Sequence, residues 1–346
     1  MFVLGLESSC DDCSAAIIRE TENGPELLSM TKKSQDAIHG PYGGVVPELA
    51  AREHLLNLRE VIAGAIAQSG VQLTQINRIA VTRGPGLVGS LLSTFSAGKA
   101  MAWHQKIPFI AVHHTIGHVN AARFENPNLP FPAIALIVSG GHTHLYLARD
   151  WTHLELLQKT RDDAAGEAFD KIARMLGLGY PGGPAVDCCA QKASKSAASF
   201  TSPKFRDGKA SWSFSGLKTA VKMRIQAEPE LKNTGIMNPS VQAICHSFQE
   251  AVATWLMNPI GIIKDQTGAR SLIISGGVAC NSRLRSKAKE TAETLGINIA
   301  IPEPKLCTDN GAMIASAGAL LETIIHDNDL WSLNADPNLP LTSNRS

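Results

Sequence analysis

The order of strands, turns and helices at the start of the chain returns further along it, and this repeat constrains the fold more than any other feature. Residues 2–6 are an apolar run, residues 7–12 a polar turn and residues 14–18 a second apolar run, which predicts a strand, a turn and a strand. The apolar run 131–138, the turn Ser139-Gly140-Gly141-His142 and the run 143–148 repeat that order. Each hairpin leads to a third strand (27–31; 154–159), to helical patterns, to a buried strand (76–82; 271–275) and to a break at glycines. Gly84-Pro85-Gly86-Leu87-Val88-Gly89 opens a helix to His104, and Gly276-Gly277-Val278 precedes a helix from about Asn281 to Leu295. Residue identity between the halves is slight, so what repeats is the order of elements. Two such copies predict a duplicated α/β protein whose halves face each other across a cleft.

Glycine turns at strand ends allow close backbone approach, and the N–H groups of a following helix hold phosphate. Their symmetric placement predicts a nucleotide in the cleft. With 346 residues, 44% hydrophobic and 18% charged, the chain can bury a large core, which excludes disordered chains and small disulfide scaffolds. The expected division is a first lobe over residues 1–126, a second over 127–330 with an insertion at about 188–237, and an irregular tail over 331–346. The longest apolar run, 133–138, is too short to span a bilayer and the N-terminus does not read as a signal peptide. With seven scattered cysteines, this predicts a cytoplasmic protein with reduced thiols and no membrane partner.

Net charge is +1, yet residues 191–224 carry eight basic side chains and one acid. A focused patch of this kind suits a phosphate backbone, and equally a solvated surface loop. His114 and His118 lie four apart after the strand 109–112, so one helix face presents both imidazoles. They are a candidate metal pair, or two helix histidines bonded to carbonyls. Asp309, in the loop before the small-residue helix 312–320, is a third candidate ligand or that helix's N-cap. The segment His114-Thr115-Ile116-Gly117-His118 lacks the glutamate of a zinc peptidase helix, which disfavours peptidase chemistry. Asp11 and Asp12 sit in the first hairpin turn, where a carboxylate either stabilises the turn or approaches a reacting amine. Asp170, on a helical run, is a candidate for ribose hydroxyls or a solvated helix acid; Asn281 bonds a base or ribose, or caps its helix.

Eight segments in order then resemble one family: Leu4-Gly5-Leu6-Glu7-Ser8-Ser9-Cys10-Asp11, Tyr42-Gly43-Gly44-Val45-Val46-Pro47-Glu48-Leu49, Gly84-Pro85-Gly86-Leu87, His114 with His118, Val138-Ser139-Gly140-Gly141-His142-Thr143, Gly166-Glu167-Ala168-Phe169-Asp170-Lys171, Phe214-Ser215-Gly216-Leu217-Lys218 and Cys307-Thr308-Asp309-Asn310-Gly311. Together they resemble the tRNA N6-adenosine threonylcarbamoyltransferases, with similarity running from Phe2 to Ile325. The resemblance implies a duplicated actin-like fold of the sugar kinase, heat-shock-protein and actin type, with two lobes around a nucleotide cleft. It implies transfer of a threonylcarbamoyl group from threonylcarbamoyl-AMP to N6 of the adenosine 3′ of the anticodon in tRNAs reading ANN codons.

Carried over residue by residue, the resemblance makes His114, His118 and Asp309 ligands of one divalent metal, Fe2+ or Zn2+. Ile137, Val138, Ser139, Gly140 and Gly141 with Asp170, Gly183, Asp187 and Asn281 become the adenylate site, and Asp11 a candidate base. Lys204, Arg206 and Lys209 are the candidates for tRNA phosphates. The length is similar to the bacterial or organellar branch, which implies two partners, a paralogue lacking the metal site and a small ATPase; the helical run 55–67 is the expected contact. The departures are Asp12 and Cys13, which stand where Glu and Thr are common in the family. The glycine turns alone also fit an ATP-dependent sugar kinase or a nucleotide-gated binding protein. The histidine pair argues against the kinase, and the lack of a peptide-binding domain against the binding protein.

Overall fold

The repeat is realised strand for strand in a computed structural model that describes residues 1–194, 200, 211–231, 235–322 and 327–341. The first half contributes β1 (Phe2–Glu7), β2 (Cys13–Thr21), β3 (Gly24–Lys33), β4 (Arg78–Gly84) and β5 (Phe109–His113), ordered β3-β2-β1-β4-β5. The second contributes β6 (Ala133–Val138), β7 (Thr143–Ala148), β8 (Leu154–Lys159), β9 (Ser271–Ser275) and β10 (Asn298–Ala300), in the matching order β8-β7-β6-β9-β10. In both sheets the hairpin strands are antiparallel and the later two join in parallel, with Leu4 opposite Ile17 and Leu136 opposite Leu145. The central strands are covered on both faces, which is why β1 and β6 read as continuous apolar runs and not as alternating ones. Glu7, at the end of β1, is the exception and is fully buried.

The helices Pro47–Ser69 and Val88–Gln105 cover the first sheet around Leu4, Leu6, Val61, Phe95 and Phe109. In the second half Ala165–Met175, Ser215–Ala227 and Pro239–Met257 enclose Phe169, Phe214 and Phe248. The aromatic segment around Trp212 thus belongs to this core, with Trp212 Nε1 donating to the carbonyl of Trp255 at 2.8 Å.

A third cluster joins the halves. It is built on the helices His114–Asn120 and Gly311–Leu320, with Ala80, Ile137, Ile273 and Met313 around them. Seven of the ten residues of the second helix are Gly, Ala or Ser, because it runs close against β1 and β4: a Cβ on Gly318 would lie 2.3 Å from Ala80 Cβ, and one on Gly311 2.6 Å from the carbonyl oxygen of Gly5.

Beyond Trp331 no helix or strand forms through residue 341, and the segment is held on the first half. Lys99 Nζ donates to the Leu333 carbonyl at 2.7 Å, and Asp336 N to that of Arg83 at 2.9 Å. Among the described residues no helix is long and apolar enough to cross a membrane. All seven cysteines are free thiols.

Candidate metal centre

His114 and His118 occupy one face of the seven-residue helix His114–Asn120, their rings edge to face with centroids 4.6 Å apart. Gly117 lies between them in sequence and is the point of contact with the small-residue helix; a Cβ there would be 2.7 Å from Ile314 Cδ1. This close approach brings the loop before that helix to the imidazoles. Asn310, not Asp309, supplies the helix cap, its side chain accepting from Met313 N at 2.9 Å and donating to the Thr308 carbonyl at 2.7 Å. Asp309 is thereby left to face the histidines, with Oδ1 at 3.5 Å from His114 Nε2 and 3.2 Å from His118 Nε2.

Three potential ligand atoms, one from each residue, lie within 4.8 Å of one another. The two N–O separations are close to the edge of about 3.3 Å expected for a tetrahedron around an ion held at about 2.05 Å. His118 is buried; its Nδ1 has no hydrogen-bond partner, and its Nε2 faces the Asp309 carboxylate. An enclosed imidazole with a single polar neighbour is under-satisfied, and an ion between Nε2 and the carboxylate would take its lone pair. The donor set, two imidazoles and a carboxylate, suits zinc or ferrous iron and leaves coordination positions free for a substrate. These residues therefore fit a divalent metal.

Glu7 completes the arrangement, and sequence reasoning missed it. Its Oε2 lies 3.1 Å from His114 Nδ1 and accepts from Thr82 Oγ1 at 2.6 Å, while Oε1 accepts from Ser9 N. A carboxylate behind a ligating imidazole fixes its tautomer and orientation. Burial pushes the Glu7 carboxyl up, but the His114 charge and its hydrogen bond outweigh it, so the group is held below the usual range. Burial likewise works against a charge on His114, yet Glu7 and Asp309 carry its pKa up to about 9. Burial lowers His118. Asp309 is held well below the ordinary carboxylate range, where burial is overcome by His114 and His118. The two carboxylates thus favour positive charge between them. The signal in the sequence was a glutamate ending an otherwise apolar strand.

Lys32, at the end of β3, is a second residue not anticipated. It pairs with Asp12 at 2.5 Å and donates to Thr308 Oγ1 at 2.9 Å and to the Asp309 carbonyl at 3.1 Å, tying the first hairpin turn to the ligand loop. Burial holds Asp12 at about 7. Asp11 is raised, first by burial and then by the charge of Asp309.

Among the second-half candidates, hydrogen bonds link the turn at 139–142 to the helix that carries Asp170. Ser139 N donates to the His142 carbonyl at 2.7 Å to close the turn, and the turn meets the metal centre at His142, whose ring is 6.3 Å from that of His114. The side chains of Ile137 and Val138 are buried, so only their backbone can face a ligand, whereas Gly140, Gly141 and Gly183 have open space where a Cβ would stand. Gly166 N donates to the Ser139 carbonyl at 3.2 Å, linking the turn to the helix that carries Asp170, and Asp170 Oδ1 accepts from Gly182 N at 2.8 Å. Asp187 is engaged elsewhere: both of its oxygens accept from Ser282, at 2.9 and 2.6 Å. Asn281 caps its helix through Leu284 N at 3.0 Å and donates to Gln249. Lys204, Arg206 and Lys209 lie outside the described residues.

Solved structures share this architecture at low identity. Full-length HypF in a phosphate- and nucleotide-bound form aligns with TM-score 0.62 and 13% identity over 93% of this chain and 47% of that one. Component A of the (R)-2-hydroxyglutaryl-CoA dehydratase of Acidaminococcus fermentans aligns with TM-score 0.54 and 13% identity over 92% and 96%. The fold is the duplicated actin-like one. Sequence similarity is much closer to another group. The family model TsaD, tRNA N6-adenosine threonylcarbamoyltransferase, matches residues 26–316. The protein of that description from Pelobacter propionicus is 46% identical over 92% of this chain and 91% of its own length. Those from Desulfitobacterium hafniense and Caldicellulosiruptor bescii are 44% and 43% identical, covering 98% and 100% of this chain and 97% and 100% of their own lengths. Because relatives this similar span both chains almost end to end, and the family's model covers most of the sequence, the chain belongs to the tRNA N6-adenosine threonylcarbamoyltransferase family of enzymes.

Proposed function

We propose that the chain transfers the threonylcarbamoyl group of threonylcarbamoyl-AMP to N6 of the adenosine 3′ of the anticodon in tRNAs reading ANN codons, releasing AMP. The observation that carries this reading is the convergence of His114, His118 and Asp309 beside the turn that ends at His142. A divalent ion held by those three residues, Fe2+ or Zn2+, would supply charge stabilisation at the carbamoyl carbonyl or the phosphate.

The chain's own groups do the rest. Backbone N–H groups of Gly140, Gly141 and Gly183 receive the adenylate in the turn that Ser139 closes, Asp170 keeps Oδ2 for a ribose hydroxyl, and Asp187 braces the Asn281 turn through Ser282. The adenine amine attacks the carbamoyl carbon, the bond from that carbon to the phosphate oxygen breaks, and AMP leaves with the electron pair. Asp11 takes the amine proton; its raised pKa suits that role.

The basic segment delivers tRNA, with Lys204, Arg206 and Lys209 on its phosphates; of the remaining cations, Lys218 already faces Asp163 and Arg224 pairs with Glu228. The lobes divide at residues 126 and 127, between β5 and β6. Exposed Leu55, Leu56, Val88 and Leu92 on the first lobe support a contact with the paralogue that lacks the metal site, and the small ATPase acts on that assembly. Free thiols throughout support a cytoplasmic setting.

The test is mass spectrometry of tRNA nucleosides after depletion of the protein. Loss of the threonylcarbamoyl-adenosine signal, restored by wild type but not by His114→Ala/His118→Ala, is expected. Unaltered nucleosides on depletion would refute the assignment.

A further inference from the structure

We propose that the C-terminal segment 331–341 is a positioning strap for the metal centre: the Leu339 carbonyl holds His113 in the tautomer that caps the histidine helix, and so sets the aim of His114 and His118. The inference rests on the reading of those residues as metal ligands.

His113 ends β5 and is the residue immediately before the first ligand. Its Nε2 lies 3.2 Å from the Leu339 carbonyl oxygen, 226 positions away in sequence. A carbonyl only accepts, so Nε2 must carry the hydrogen. In a neutral ring Nδ1 is then an acceptor, and it receives Thr115 N–H at 3.2 Å as the N-cap of the helix. The opposite tautomer loses both bonds at once. One hydrogen bond from the tail therefore selects the ring state that closes the first turn of the helix bearing the ligands. A helix of seven residues has few internal bonds, so its direction depends on how its ends are tied.

The position of Leu339 is itself built in. Lys99 holds the Leu333 carbonyl at 2.7 Å, Asp336 N donates to the Arg83 carbonyl at 2.9 Å, and Gly86 N donates to the Pro337 carbonyl at 3.2 Å. Gly84 permits the approach, since a Cβ there would lie 1.9 Å from the Asp336 carbonyl oxygen. The strap thus follows the end of β4 to reach His113, the neighbouring strand's last residue.

The test is a double-mutant cycle read by Zn2+ affinity in chelator competition. One arm truncates the chain after Pro337, which removes the Leu339 carbonyl and keeps the anchors at Lys99, Arg83 and Gly86. The other is His113→Phe in the full chain, which keeps the strap and removes the cap. Each change alone is expected to weaken Zn2+ binding about tenfold. Truncation in the His113→Phe background is expected to add little, because both act through one ring. Histidine ring 15N shifts should report the Nε2–H tautomer of His113 in the wild type and its loss on truncation. Zn2+ affinity within about twofold of wild type for His113→Phe, or a truncation cost that is the same with and without His113, would overturn the strap. A wild-type chain that binds no Zn2+ would overturn the metal reading, and the strap with it.

Discussion

Replacing Gly5 by alanine tests the contact on which the convergence depends. Gly5 stands in β1 two residues before Glu7, and Gly311 opens the small-residue helix two residues after Asp309. A Cβ at position 5 would lie 2.0 Å from the Gly311 carbonyl oxygen, 2.5 Å from Ala315 N and 2.8 Å from Ala315 Cβ. Carbon and carbonyl oxygen ordinarily approach to about 3.3 Å, so the helix must retreat by about 1 Å. None of these atoms belongs to a long side chain that can rotate away. Overpacking costs about 1–3 kcal/mol in general, and a clash with backbone belongs at the upper end. For a chain of 346 residues the unfolding entropy gives about 1.4 °C per kcal/mol, so a cost of about 3 kcal/mol lowers Tm by about 4 °C. Metal sites tolerate errors of only about 0.2 Å in ligand position, so Zn2+ affinity should fall at least about tenfold as Asp309 withdraws. Gly140→Ala is the control, since a Cβ there meets nothing within 4 Å and Tm should not change. Differential scanning calorimetry and chelator competition measure both quantities. A Gly5→Ala protein with wild-type Tm and wild-type Zn2+ affinity would refute the idea that backbone contact between β1 and the helix sets the metal geometry.

Glu7→Gln should weaken Zn2+ binding about 10–100-fold, since the amide cannot accept from Ser9 N and Thr82 and still present an anion to His114; competition titration checks it. In the metal-free protein the stability contributed by His114, His118, Glu7 and Asp309 together should peak near pH 6.5. The His114 contribution is present below its ordinary 6.5 and lost as pH rises through about 9, while those of Glu7 and Asp309, both lowered, are lost at acid pH, and lowered His118 also costs stability below 6.5. Zn2+ should remove the alkaline loss, which Tm against pH with and without the ion will show. Asp11→Ala should lower kcat more than it weakens donor binding, and equal losses in steady-state kinetics would contradict its role as base. Neutralising Lys204, Arg206 and Lys209 together should reduce the slope of log tRNA affinity against log salt by about 2–3, and an unchanged slope would remove them from the interface.

The two sheets were legible in the chain because strand order follows from local pattern. Apolar runs, polar turns and glycine breaks recur in the same order, and each is decided by residues a few positions apart. The histidine pair was legible for the same reason, since four residues make one helical turn. Asp309 was visible only as one of two readings, ligand or cap. Asn310 takes the cap, which the sequence alone did not distinguish because both residue types serve there equally well. Asn281 shows the opposite case: the capping alternative is realised, and its amide is also tied to Gln249.

What no local pattern contained was the set of partners. Glu7 meets His114 across 107 positions, Lys32 meets the Asp309 carbonyl across 277, and His113 meets Leu339 across 226. A glutamate after an apolar strand reads as a solvated end until that end of the strand is seen to be buried. By itself the sequence determined a duplicated α/β chain with ligand-type side chains at the ends of its halves, because sterics and periodicity act between neighbours. Which of those side chains share one ion-sized space was decided by glycine-to-glycine packing of a distant helix on β1, a contact whose partners lie more than 300 residues apart.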